Sequence, residues 1–191
     1  MPGFELPEVS PEAQTLLDKV VPPPNRPPLL YLAMAANPAV FRAYAEGPIL
    51  GLRGLLYTGQ VSNADRELCI LRVTARRGAE HEWGVHVAYF GKTSGLTASQ
   101  VRATVTDETP DPQWTDRQRG VLAVADAVAD VRSFSDAEAA LIHRTLTEAD
   151  RAEFVATAAL YLGIATQCRV LEIPPEPGAP LMPDRRDVSG I

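Results

Sequence analysis

Five tetrapeptides that read as helix starts divide the middle of this chain and leave little room for any architecture but a helical one. They are Ser62-Asn63-Ala64-Asp65, Thr97-Ala98-Ser99-Gln100, Thr115-Asp116-Arg117-Gln118, Ser135-Asp136-Ala137-Glu138 and Thr147-Glu148-Ala149-Asp150. In each, a hydroxyl can accept an N–H of the first helical turn while the fourth residue reaches back to the start. The reciprocal box is strict where that residue is Glu or Gln. Helical periodicity follows the caps. Val121, Val124, Ala125, Val128 and Val131 share one face after Thr115, and Phe154, Ala158, Tyr161, Ala165 and Cys168 share another after Thr147. Gly95 reads as a left-handed stop ahead of the Thr97 cap. Shorter helices are expected near 11–19, 37–46 and 48–57, and no stretch alternates as a strand does. The expected fold class is all-α.

Prolines mark the two ends. Of 17, most lie before Leu29 or from Pro174 onward. Pro22-Pro23-Pro24 and Pro27-Pro28 stiffen an extended segment, and Pro174-Pro175-Glu176-Pro177 opens an irregular tail. This divides a single domain, 1–191, into an N-terminal arm (1–36), a helical core (37–173) and a C-terminal tail (174–191). The ends suggest surfaces that wrap a neighbouring copy, so a homo-oligomer is expected.

Charge narrows the partners. The formal net charge of -6 argues against nucleic acid or an anionic membrane, both of which select basic patches. No run of about 18 apolar residues could span a bilayer. The opening residues, MPGFELPEVS, lack the basic and apolar regions of a signal peptide. Cys69 and Cys168 stand far apart in apolar surroundings, as core thiols of a reducing compartment do, so a cytoplasmic protein is expected.

The helix from about 63 to 77 is apolar on most sides, through Leu68-Cys69-Ile70-Leu71, Val73 and Ala75, and so belongs in the middle of the fold. Glu67 stands at the edge of that run. The next helix, about 79 to 93, carries Glu80-His81-Glu82-Trp83-Gly84-Val85-His86, with two of the chain's 3 histidines. Glu82 and His86 are four apart, so their side chains share a face. A carboxylate there can orient an imidazole and tune it for acid–base work near neutral pH, although the same spacing suits an ordinary exposed ion pair. Taken alone, Glu67 is as well explained as a first-turn acid facing the helix dipole. Trp83 and Tyr89 read as core packing before they read as a stacking platform. Arg72 and Arg76 could hold an anionic substrate or simply face solvent.

His81, Glu82 and His86 resemble a zinc-protease helix, but that motif needs histidines four apart. These are five apart and point about 140° from each other. No Glu-x-x-His pair supports a di-iron centre, and His143 has no ligand-spaced partner. No metal is expected. Without a Gly-rich phosphate loop, nucleophile elbow or catalytic cysteine signature, no cofactor is expected either.

The run Asp65-Arg66-Glu67-Leu68-Cys69-Ile70-Leu71-Arg72-Val73-Thr74, then Ala79-Glu80-His81-Glu82-Trp83-Gly84-Val85-His86, then Gly95-Leu96, resembles the core of the carboxymuconolactone decarboxylase and alkylhydroperoxidase D-like family over roughly 37–105. The resemblance implies an alkylhydroperoxidase D-like helical bundle and a trimer or trimer-based hexamer. The peroxidase branch uses a Cys-x-x-Cys pair, with a His four residues after the second Cys and a Glu twelve before the first. Counted from His86, those sulfur positions fall on Glu82 and Ala79, and the Glu falls on Glu67. Both cysteines are therefore replaced, which removes the peroxide nucleophile and its resolving partner. The decarboxylase branch implies cofactor-free loss of CO2 from a carboxylated lactone. It implies His86 as acid–base, Glu67 as its orienting or relay partner and Glu82 as a second carboxylate, with Trp83 and Arg72 as candidate substrate contacts. The leading expectation is a cofactor-independent lyase or isomerase acting on a small carboxylated or lactone-like metabolite. The alternative is a non-catalytic, ligand-binding helical oligomer that keeps the fold without thiol activity.

Overall fold

The computed structural model describes residues 5–47, 54–106 and 114–183. Within them the secondary structure is entirely helical, with α1 (Pro11–Val20), α2 (Leu29–Ala35), α3 (Pro38–Ala45), α4 (Leu55–Thr58), α5 (Asn63–Arg76), α6 (Glu80–Phe90), α7 (Ala98–Ala103), α8 (Asp116–Ala129), α9 (Asp136–Thr145) and α10 (Glu148–Val170). Positions 48–53 of the helix expected near 48–57 lie outside the described residues, and α4 starts at Leu55 behind an extended Gly54. Among the described residues no helix is long and apolar enough to cross a membrane.

All five N-terminal signatures start helices. Thr97, Thr115, Ser135 and Thr147 form reciprocal boxes with Gln100, Gln118, Glu138 and Asp150, so the shorter Asp150 also closes one. Ser62 accepts from the Asp65 N–H without a return bond. Gly95 takes the positive φ, 81°, that a left-handed stop requires. One expectation fails at a helix end. Val131 lies past the end of α8 with φ 53° and is 80% exposed, so it does not extend the Val121 face. A Schellman-like closure, in which Arg132 N–H donates to Ala127 O, ends the helix without a glycine.

The centre of the molecule is α5, whose residues from Asp65 to Ala75 are all buried. It packs against α6, α8 and α10, and α8 and α10 also pack on each other. Leu68, Ile70, Leu71 and Val73 lose essentially all contact with water, a gain of about 1.5–3 kcal/mol for each side chain. Charged groups lock the same helix in place. Arg72 donates to both oxygens of Asp126 on α8 (2.6 and 3.1 Å) and to the carbonyls of Thr104 and Thr106. Arg76 pairs with Asp130 at 2.7 Å, and Arg117 joins Asp65 to Asp150. On α10, Glu153 accepts from the N–H groups of Gln60 and Val61, which ties the approach to α5.

Among the described residues, the segments before α3 and after α10 belong to the packed body. Leu16 and Leu17 of α1 and Leu29 and Leu30 of α2 join the common apolar core. The tail runs along the back of α6. Pro174 O lies 2.8 Å from His81 Nδ1, and Met182 N–H donates to Glu80. Gly84 is required where the tail crosses, because a Cβ there would stand 2.7 Å from Pro180 O. Glu176 accepts from Leu29 N–H at 2.7 Å, capping α2 where Pro28 offers no side-chain cap.

Candidate active site

The helix pair α5–α6 brings Glu67, Glu82 and His86 together. Glu67 faces α6 because the apolar residues that follow it commit the helix to the core. His86 and Glu82 are successive turns of the facing helix. His86 Nδ1 and Glu67 Oε2 are 2.7 Å apart, and His86 Nε2 is 3.4 Å from Glu82 Oε1. His86 is 3% exposed, and both carboxylates are buried with it. Phe90 stacks on the imidazole at 5.1 Å between ring centroids, and Tyr161 of α10 meets it edge-on at 4.9 Å. A later helix therefore closes the site.

Burial on its own pulls the basicity of His86 down. The charges of Glu67 and Glu82 and their hydrogen bonds outweigh it and hold the imidazole at about 9, above its ordinary 6.5. The group is therefore an imidazolium at neutral pH. Its Nδ1–H donates to Glu67 in a short charge-assisted bond, while its Nε2–H is held only loosely by Glu82. Such a group can give up a proton. Burial and the Glu82 charge raise the phenol of Tyr161 well above its usual range, and Tyr31 is raised by the same two causes. Both are thus neutral O–H groups beside the carboxylates.

Arg66 completes the cluster, and sequence reasoning missed it. It precedes Glu67, is 8% exposed, and brings its Nε to 3.5 Å from Glu67 Oε1. With an imidazolium, Arg66, Glu67, His86 and Glu82 balance in charge, which lowers the cost of burying them together. The signal lay in the Arg-Glu pair that opens the buried helix. Tyr31 had none, because it comes from a segment read as an arm.

A cleft of about 280 Å³ lies over this cluster, lined by Leu56, Tyr57, Asn63, Arg66, Glu67, Phe90, Thr93 and Ser94. Glu67 is the member of the Glu–His–Glu group that borders it. Two other expected contacts lie elsewhere. The indole N–H of Trp83 donates to Thr104 at 3.0 Å within the core, and Arg72 is committed to Asp126. Neither points to the cleft, and Arg72 is neither a free anion contact nor a solvent-facing residue. Tyr89 is not core packing, since it is 60% exposed.

The remaining histidines and the cysteines lie apart from this site. His81 points to the opposite side of α6, against the tail, and His143 is exposed beside Arg151. Cys69 is sealed in the core with its thiol pushed up to about 12 by burial and then by the charge of Glu67, and burial likewise raises Cys168. Neither thiol ionises to a nucleophile near neutral pH. Compared with family models, with curated proteins and with solved structures, the chain matches none.

Proposed function

We propose that this chain is a cofactor-independent lyase or isomerase of the carboxymuconolactone decarboxylase type, built on an alkylhydroperoxidase D-like bundle and working as a homo-oligomer. It moves a proton on a small carboxylated or lactone-like metabolite. The observation that carries this reading is the buried Glu67–His86–Glu82 group, with its 2.7 Å hydrogen bond and its imidazolium, beneath a cleft wide enough for a small molecule.

In a decarboxylation the electron pair of the breaking C–CO2 bond passes into the unsaturated system as an enolate, and CO2 departs. The proton that bonds to carbon then passes from the His86 imidazolium through Glu67, the member of the group that borders the cleft, and solvent restores it. Glu67 fixes the ring and stabilises its charged form. Glu82 faces Nε2 and stabilises the same charge from the other side of the ring. In an isomerisation the same groups remove a proton from one carbon and return it to another.

A panel of lactone acids and unsaturated keto acids, screened for CO2 release or a change in ultraviolet absorbance, tests the reading. For the substrate found, His86→Gln should lower turnover by roughly 10²-fold or more while leaving the helical circular dichroism unchanged. Glu67→Gln should act in the same direction and less than additively with it. Turnover by His86→Gln at the wild-type rate would refute the assignment.

A further inference from the structure

Two polar atoms of residues that line the cleft have no hydrogen-bond partner, Arg66 Nε and Glu67 Oε1, and both lie just beneath its surface, closed off from solvent. A guanidinium Nε–H only donates and a carboxylate oxygen only accepts. At 3.5 Å the two are too loosely placed to satisfy one another, and leaving such groups unpaired in a buried site is costly. A single atom that satisfies both must accept from Arg66 and donate to Glu67 at once. A carboxylate, a ketone and a protonated amine cannot do so, whereas a hydroxyl can. A hydroxyl oxygen about 2.8 Å from each atom closes a triangle on that base.

The rest of the cleft points to an anion beside the hydroxyl. Asn63 and Arg66 both line it from the first turn of α5, the end of the helix dipole that favours negative charge, while the Thr93 and Ser94 hydroxyls donate to Phe90 O and Gly91 O. Asp65, the acid in that turn, faces Arg117 instead. Arg66 also borders a second, water-sized space of about 10 Å³ lined by Leu55, Ile70, Thr157 and Tyr161. A guanidinium with space on both sides can give by the fraction of an ångström that a ligand oxygen needs.

We propose that this cleft binds a small 2-hydroxycarboxylate or its enolic equivalent, with the hydroxyl bridging Arg66 Nε and Glu67 Oε1 and the carboxylate facing the Arg66 guanidinium. The inference rests on the acid–base reading of the site and narrows its substrate class. Glu67 would then touch the ligand through Oε1 and His86 through Oε2, so that the ligand O–H and the imidazolium share one carboxylate.

The test is equilibrium titration calorimetry of the full chain at neutral pH with three hydroxy acids of increasing size. Glycolate, 2-hydroxy-3-methylbutanoate and 2-hydroxy-3-phenylpropanoate are each compared with the acid lacking the hydroxyl. At least one hydroxy acid should bind about tenfold more tightly than its deoxy partner, the effect of one hydrogen bond to a charged group. Arg66→Gln, checked for native helicity, should abolish that preference. Asn63→Asp changes only an exposed residue at the cleft mouth and should weaken hydroxy acid and deoxy acid alike. Equal affinities within every pair, a hydroxyl preference that survives Arg66→Gln, or no saturable binding up to about 20 mM would overturn the proposal. Binding is read without turnover, so the two readings fail separately. Hydroxy acids that bind as stated while His86→Gln turns over normally would sink only the acid–base reading. A strict need for His86 with no hydroxyl preference would sink only this one.

Discussion

The two ends of α5 each bury an arginine, and they treat it in opposite ways. At the C-terminal end, Arg72 reaches Asp126 through two nitrogens and two backbone carbonyls through a third, and Arg76 reinforces the same edge of α8. At the N-terminal end, Arg66 has Glu67 beside it, yet its Nε and Glu67 Oε1 stay unbonded. The same side chain on the same helix thus closes one interface and leaves the other chemically open. A buried charge whose donors are all engaged contributes to cohesion. A buried charge with a donor unengaged, on a residue that lines a cleft, is the one the proposed ligand would engage. Burial alone does not separate structural charge from functional charge; the completeness of its hydrogen bonding does.

The contrast can be broken at three points. The largest effect belongs to the closed end, where Asp126→Ala strands the buried Arg72 guanidinium. Stability should fall by about 3–5 kcal/mol, a drop of roughly 10 °C in the thermal midpoint. A fall of less than about 1 kcal/mol would show that this end is no lock. A smaller effect should appear in the response to alkali. His86 holds its proton more tightly in the folded chain, at about 9 against 6.5, so its contribution to stability is complete below about 6.5 and is lost as the pH rises towards 9. Denaturant unfolding across that window should show wild-type stability declining, with a flatter profile in His86→Gln. Parallel profiles would mean that His86 is neutral in the fold. The smallest effect is expected at the open end. Arg66→Met removes one charge from a balanced cluster, so stability should fall, but by less than in Asp126→Ala because no short hydrogen bond is lost with it. A loss as large as that of Asp126→Ala would erase the distinction between the two ends.

Local chemistry explains what could be read beforehand. The caps act within four residues, so Thr97, Thr115, Ser135 and Thr147 announce their helices without help from the fold. Glu82 and His86 are likewise neighbours by helical geometry, and the apolar run after Glu67 commits that helix to the interior. Pairings across the fold were out of reach. Arg72 looked available because Asp126 lies 54 residues away, and nothing in its spacing says that α8 will turn that carboxylate inward. Tyr89 passed for core because apolar neighbours surround it in sequence, although its side of α6 faces outward. Val131 continued a helical face on paper because no glycine warned of the end of α8. Arg66 was visible only as half of a pair whose acidic half drew the attention.

The bond from Leu29 N–H to Glu176 has a consequence in time. A growing chain makes its residues in order, and the acceptor that finishes the start of α2 is specified 147 residues after the donor. At 5–20 residues per second the ribosome needs roughly 7 to 30 seconds to cover that interval. Throughout it the first turn of α2 is uncapped, and the back of α6 lacks the strand of chain that later crosses Gly84. The nascent protein must wait with its apolar N-terminal helices incompletely housed, and its last contacts are made by the part of the sequence that reads as the least structured.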